Sequence, residues 1–216
     1  MGILDALTYD KTEYGRIDGV VCGIVTNNED KKKLGRIKIQ FPWLSDKNET
    51  DWVRISTFMA GAERGSFFLP EKGDEVLVAF EHGDINRPYV IGTLWNEKAK
   101  PPETNQDGKN NIRKIRSRTG HELIFNDETN KGQIVIHTKA GHQIILDDSN
   151  GKEKIEIKDK TGDNSISIDS AKNSIAISSK TKLNIKAQSI EIEADGEMKI
   201  KAGGTLTIKG STVKIN

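Results

Sequence analysis

The sequence predicts an all-β chain in two parts, a small antiparallel barrel followed by a needle of short strands that three copies of the chain complete together. Three observations carry that reading. Residue usage changes abruptly, with eleven of the twelve aromatics before Asn111 and all five prolines at or before Pro102. Five β-rich segments separated by turn-formers fill residues 19–95, the spacing of a small barrel. Beyond them an apolar-polar-apolar triplet returns ten times, and so short a period marks a β-solenoid or fibre.

The first strand is expected over residues 19–26, before Asn27, Asn28 and the charged run 29–33. Residues 34–41 alternate as a half-buried strand does, with Ile37, Ile39 and Phe41 on one face and Arg36, Lys38 and Gln40 on the other; Pro42 ends it. A third strand is expected over 52–57, a fourth over 75–81 after Glu71-Lys72-Gly73-Asp74, and a fifth over 89–95 after Asn86-Arg87-Pro88. Five short strands with one long excursion suit an OB-type barrel. Pro101-Pro102 and polar neighbours then make a linker. The organisation expected is an N-terminal segment at 1–18, the barrel at 19–96, the linker at 97–111 and the needle at 112–216.

The needle triplets begin at Ile134, Ile144, Ile155, Ile166, Ile175, Leu183, Ile190, Met198, Leu206 and Val213, spaced 10, 11, 11, 9, 8, 7, 8, 8 and 7 residues apart. A period of two within each triplet puts both aliphatics on one face and the middle residue on the other, wet face. Turn-formers lie between, among them Asp147-Asp148-Ser149-Asn150-Gly151, Asp195-Gly196 and Gly203-Gly204, each able to supply positive φ. One chain would bury about two aliphatics per rung, worth roughly 1.5 to 3 kcal/mol each, against about 1.5 kcal/mol for ordering each residue. Three chains around one axis solve this by meeting at the centre, with strands of neighbouring chains completing the hydrogen bonds. The trimer core expected is Ile155, Ile157, Ile166, Ile168, Ile175, Ile177, Leu183, Ile185, Ile190, Ile192, Met198, Ile200, Leu206 and Ile208. Stacked at about 4.8 Å, the rungs would make a stiff rod on the order of 50 Å long.

With 33 basic and 32 acidic residues, no global field recruits nucleic acid or an anionic membrane. The lone Cys22, between Val21 and Gly23, reads as a packing residue. Residues 1–11 lack the pattern of a signal peptide, and no apolar run approaches the roughly 20 residues that span a bilayer.

Gly15-Arg16-Ile17-Asp18-Gly19-Val20-Val21, Leu34-Gly35-Arg36-Ile37-Lys38-Ile39 and Phe41-Pro42-Trp43 resemble the OB domain of the VgrG and phage baseplate-assembly-V spike proteins. The likeness continues through Trp52-Val53-Arg54-Ile55, Gly65-Ser66-Phe67-Phe68-Leu69-Pro70-Glu71, Gly73-Asp74-Glu75-Val76-Leu77-Val78 and Gly83-Asp84-Ile85-Asn86-Arg87-Pro88-Tyr89-Val90-Ile91-Gly92. It implies a barrel followed by an intertwined trimeric β-helix. It also implies a structural spike of a contractile injection system, with hub or baseplate proteins at the 1–18 end and transient contact with a target membrane. Assembly would be in the bacterial cytoplasm, with delivery to the outside. Larger members carry a hub region ahead of the barrel and an apex domain after it; here the sequence stops on a rung. The resemblance therefore points to a separate PAAR-type tip protein docked on Val213, Lys214, Ile215 and Asn216.

A glycosidase needs two carboxylates across a cleft, and the acidic residues here fall on turns or the wet face. Neither a Ser/His/Asp set nor a phosphate loop is present, so the expectation is no enzyme and no cofactor. Threefold symmetry could gather His121, His137 or His142 around a metal, but His137 follows a triplet and His142 follows Gly141, positions that face outward or lie in turns. Lys31-Lys32-Lys33 with Phe41 and Trp43 could form a stacking groove for single strands; the reading preferred is a solvated loop beside a barrel core, with no nucleic acid bound. Arg113-Lys114-Ile115-Arg116-Ser117-Arg118 is expected to meet acidic residues of a neighbouring chain. The alternative function is a non-enzymatic OB binding module with a trimerising β tail.

Overall fold

The computed structural model describes residues 16–44 and 48–215. Most of the expected segment 1–18, and Asn216, lie outside the described residues. The chain divides between Gln106 and Asp107, inside the predicted linker.

In the first unit, β1 (Val20–Asn27), β2 (Lys38–Gln40), β3 (Arg54–Ile55), the hairpin β4 (Ala60–Gly61) and β5 (Arg64–Gly65), β6 (Glu75–Phe80) and β7 (Pro88–Leu94) follow in order. The main sheet runs β2-β1-β6-β7-β3. Its pairs are antiparallel except β3 with β7, which is parallel. The two edges meet where Ile37 and Val53 exchange backbone hydrogen bonds of 3.1 and 2.7 Å, so the sheet closes into a five-stranded OB-type barrel. Alternation decides what fills it. Ile37, Ile39 and Phe41 point inward as the sequence predicts, meeting Val25, Val53, Val76, Val78, Phe80 and Val90. Gly23 sits inside this core because a Cβ there would lie 2.4 Å from Cγ2 of Ile39.

The predicted strands shrink, 34–41 to three residues and 52–57 to two; Leu34 and Arg36 bind Asp30 instead of continuing the ladder. The excursion carries the unpredicted hairpin β4-β5. Cys22 also corrects the sequence reading: it faces out from β1 and is exposed. Partial desolvation, and then Glu75, raise its thiol pKa, the opposite of nucleophile activation.

The second unit holds seven five-residue strands, β8 (Ile112–Arg116), β9 (Glu122–Asn126), β10 (Gln133–His137), β11 (Gln143–Asp147), β12 (Lys154–Lys158), β13 (Ser165–Asp169) and β14 (Ser174–Ser178). They pair in chain order as one antiparallel meander. Here the expectation that neighbouring chains complete the ladder is corrected, since each strand bonds to its own sequence neighbours. The turns explain it: each reversal contains one left-handed residue, Gly120, Asn130, Gly141, Gly151, Gly162 or Asn173 in order.

Candidate functional site: an uncovered apolar sheet face

Because every strand of the meander is five residues long and paired without slip, its triplets align into two columns. One runs Phe125, Ile134, Leu146, Ile155, Ile168, Ile175; the other runs Leu123, Ile136, Ile144, Ile157, Ile166, Ile177. Both columns share one face, and nothing among the described residues covers it. Along β10 to β13 these side chains keep 38 to 47% of their exposure. A shallow trough of about 570 Å³ crosses the face, lined by Ile136, Ile144, Ile157, Ile166, Ile177 and Leu183. An apolar surface of this length on a charged chain marks an interaction site.

The opposite face is held by polar side chains locked to one another. Glu122, its side chain only 8% exposed, takes His137 Nε2 at 2.8 Å, Arg116 at 3.2 Å and Lys114 at 3.9 Å. Asp147 accepts from Gln133 Nε2 at 2.8 Å and from the Ser149 amide at 2.9 Å. Burial opposes its ionisation, but these bonds from Ser149 and Gln133 keep its pKa below the ordinary value. Glu156 bridges Lys154 and Lys158 at 3.4 and 3.2 Å. In the turn after β12, Asn164 and Thr161 hold the Asp159 carboxylate at a pKa of about 2.

These contacts place the remaining candidates. Arg113 pairs with Asp127, and Arg116 and Lys114 with Glu122, so the basic run finds its acidic partners in its own chain, a correction to the sequence reading. His137 ends β10 on the polar face, while His121 and His142 lie in turns. Among the described residues no group of His, Cys, Asp and Glu is arranged to hold a metal. The wet face is drier than predicted, since Ile124, Val135 and Ile145 stack on it as register partners.

The expected core residues from Ile155 to Ile177 all fall in the two columns. Phe125, Ile134, Ile136, Ile144 and Leu146 extend the columns upward, on the triplet beat that reveals the rest. Leu183, Ile185, Ile190, Ile192, Met198, Ile200, Leu206 and Ile208, with Val213 and Ile215, stay exposed, and no strand forms beyond Ser178 among the described residues.

On the barrel, Phe41 is buried and unavailable for stacking, although Trp43, 5.9 Å from it, remains half exposed. The lysine loop is tied down by Asp30, which takes Arg36 at 2.7 and 2.9 Å and the amides of Lys32 and Leu34 at 3.0 and 3.2 Å. The Arg36 bond, more than any other cause, holds Asp30 well below the usual carboxylate range. A groove of about 590 Å³ beside β3 contains Trp52, Arg54, Glu81, Arg87 and Tyr89. Its carboxylates Glu49, Asp51 and Glu81 outnumber Arg54 and Arg87; Arg54 donates to the Tyr89 hydroxyl, that hydroxyl donates to Glu81 at 3.1 Å, and Arg87 lies 3.6 Å from Glu81. Such a groove offers no net positive track for a phosphate backbone.

The closed barrel matches a known domain. Residues 21–95 fit the type VI secretion system/phage-baseplate injector OB domain. Over this stretch the chain resembles the VgrG and phage-baseplate-V spike proteins. Among VgrG relatives, the actin cross-linking toxin VgrG1 of Vibrio cholerae serotype O1 is 33% identical over 134 residues, 56% of this chain and 12% of that protein. The type VI secretion system spike protein VgrG3 of Vibrio cholerae is 30% identical over 134 residues, 56% of this chain and 13% of that protein. VgrG1a of Pseudomonas aeruginosa, another type VI secretion system spike protein, is 33% identical over 116 residues, 49% of this chain and 18% of that protein. The chain thus spans less than a fifth of the length of these VgrG proteins.

Proposed function

We propose that the chain is the structural central spike of a contractile injection machine, three copies of which close their apolar sheet faces on one another to make a rigid needle. The observation that carries this is the pair of aliphatic columns in strict register with no cover among the described residues. Three such faces can shield one another around an axis, whereas a lone sheet leaves them in water. The likeness of its OB domain to that of spike proteins supports the same use, and the work is mechanical, the transfer of force to a point that breaches a target envelope. Hub or baseplate proteins are the proposed partners at the barrel end. At the far end a small PAAR-type tip protein would cover Val213 and Ile215, both exposed. Assembly of the particle in the bacterial cytoplasm and delivery outward belong to the same proposal; no helix among the described residues is long and apolar enough to cross a membrane.

Light scattering during size exclusion, with a fluorescent single-stranded oligonucleotide titrated at two salt concentrations, separates this from the OB binding module. The spike reading expects three chains per particle and no salt-dependent oligonucleotide binding. Binding that weakens with salt would favour the other reading.

A further inference from the structure

We propose that the turn between β11 and β12 is a self-modification site: Asn150 converts to aspartate and isoaspartate through attack by the Gly151 amide nitrogen, and the Glu153 carboxylate takes that amide's proton. The site lies within one chain and does not depend on how copies assemble.

Asn150-Gly151 is the one Asn-Gly step in the 216 residues, where the second residue has no side chain to shield its nitrogen. Asparagine is among the thermolabile residues, and the structure sets this one apart. Asn150 is exposed, and no hydrogen bond holds its side chain among the described residues. By contrast Asn164, before Ser165, donates its side-chain amide to Asp159 at 2.7 Å, while its oxygen accepts from Ser179 Oγ and the Lys180 amide at 3.1 and 3.2 Å. Gly151 has a left-handed φ of 73°, and a Cβ there would meet nothing within 4 Å, so the space around the attacking nitrogen is open.

The hydrogen bonds of the turn single out the same nitrogen. The amides of Asp148, Asn150 and Lys152 donate to the backbone oxygens of Gly132, Asn130 and Ser149 at 2.9, 3.1 and 2.9 Å. The Gly151 amide instead donates to Glu153 Oε1 at 2.9 Å. Backbone bonds thus pin the turn around an amide whose acceptor is a base. Bonds from its own amide and from that of Gly151 hold the Glu153 carboxyl below its ordinary pKa, so it is ionised at neutral pH. A carboxylate within hydrogen-bond reach of the proton it abstracts is placed as a general base.

The reaction balances with water alone. Gly151 N gives its proton to Glu153 and bonds to Cγ of Asn150; the side-chain nitrogen leaves with that proton as ammonia, and Glu153 is again a carboxylate. Water then opens the five-membered imide at either carbonyl, giving aspartate or isoaspartate. Either product adds a negative charge to a turn that already carries Asp147, Asp148 and Glu153. Isoaspartate also lengthens the backbone by a methylene in the link that joins the register partners Asp147 and Lys154.

The test holds the full chain at mildly alkaline pH, digests samples at intervals, and follows the peptide carrying residue 150 by mass and by enzymatic methylation of isoaspartate. That peptide should gain about 1 Da, the change from amide to acid, and separate into two products. The peptide carrying Asn164 should stay unchanged, and Asn150→Gln should abolish the gain. Glu153→Gln, which keeps an acceptor for the Gly151 amide but removes the base, and Glu153→Ala, which removes both, should each slow conversion severalfold in the folded chain. In guanidinium, where Glu153 is no longer held at the amide, neither should change the rate. No conversion at residue 150, or conversion at Asn164 ahead of it, overturns the site. An equal or faster rate in the folded Glu153 variants overturns the role of Glu153, since a bond that only restrained the amide would release it for attack.

Discussion

Replacing Ile157 by Ala probes the apolar face at its centre, where Ile157 lies between its register partners Ile144 and Ile166. In a single sheet Ile157 remains 46% exposed, so about half of its transfer energy is already gained within the chain. Removing three carbons at roughly 0.8 kcal/mol per fully buried group would then cost about 1 kcal/mol. If two other copies cover the face, the same change leaves a cavity in a packed core and costs about 2 to 5 kcal/mol per chain, or roughly 6 to 15 kcal/mol per trimer. Guanidinium unfolding at several chain concentrations measures the difference. The covered face predicts the larger loss and a midpoint that rises with concentration. A loss of about 1 kcal/mol or less, with a midpoint independent of concentration, would refute the reasoning.

Other outcomes follow from the same geometry. Gly23→Ala should destabilise the barrel by about 1 to 3 kcal/mol or more, because its Cβ would sit 2.4 Å from Cγ2 of Ile39; a neutral thermal shift would mean the strand slides freely. Carboxylates such as Asp30, Glu49, Asp159 and Asp169 have folded pKa values below their unfolded ones, with Asp159 at about 2. Their stabilisation is therefore present above about pH 4 and lost as pH falls toward 2. Denaturation midpoints should be flat from neutrality to about pH 5 and drop below pH 4, and a drop beginning near pH 6 would point to histidine instead. Val213→Asp with Ile215→Asp should leave the trimer assembled and abolish capture of a PAAR-type tip protein, since six charges would be buried at the junction; unchanged capture would place the docking surface elsewhere.

What the sequence revealed depended on how local the cause was. Ile37, Ile39 and Phe41 announce an inward face by alternation alone, and the aliphatic triplets announce the columns in the same way. The exposure of Cys22 was not legible, because an apolar run on a barrel strand alternates inside and out and both sides read alike. Nor was the cis pairing of β8 to β14, which is set by one left-handed residue in each link rather than by the strands. Glu122 as the anchor of Lys114, Arg116 and His137 arises from register between β8, β9 and β10, and no local pattern marks it. The hairpin β4-β5 escaped because two-residue strands carry no periodicity.

The central claim, that copies of this chain cover the aliphatic face, is tested most directly by the native mass at micromolar concentration, measured by light scattering or sedimentation equilibrium. The account predicts three times the mass of one chain, unchanged across salt concentrations because the contact is apolar. A folded protein with the mass of a single chain would contradict it.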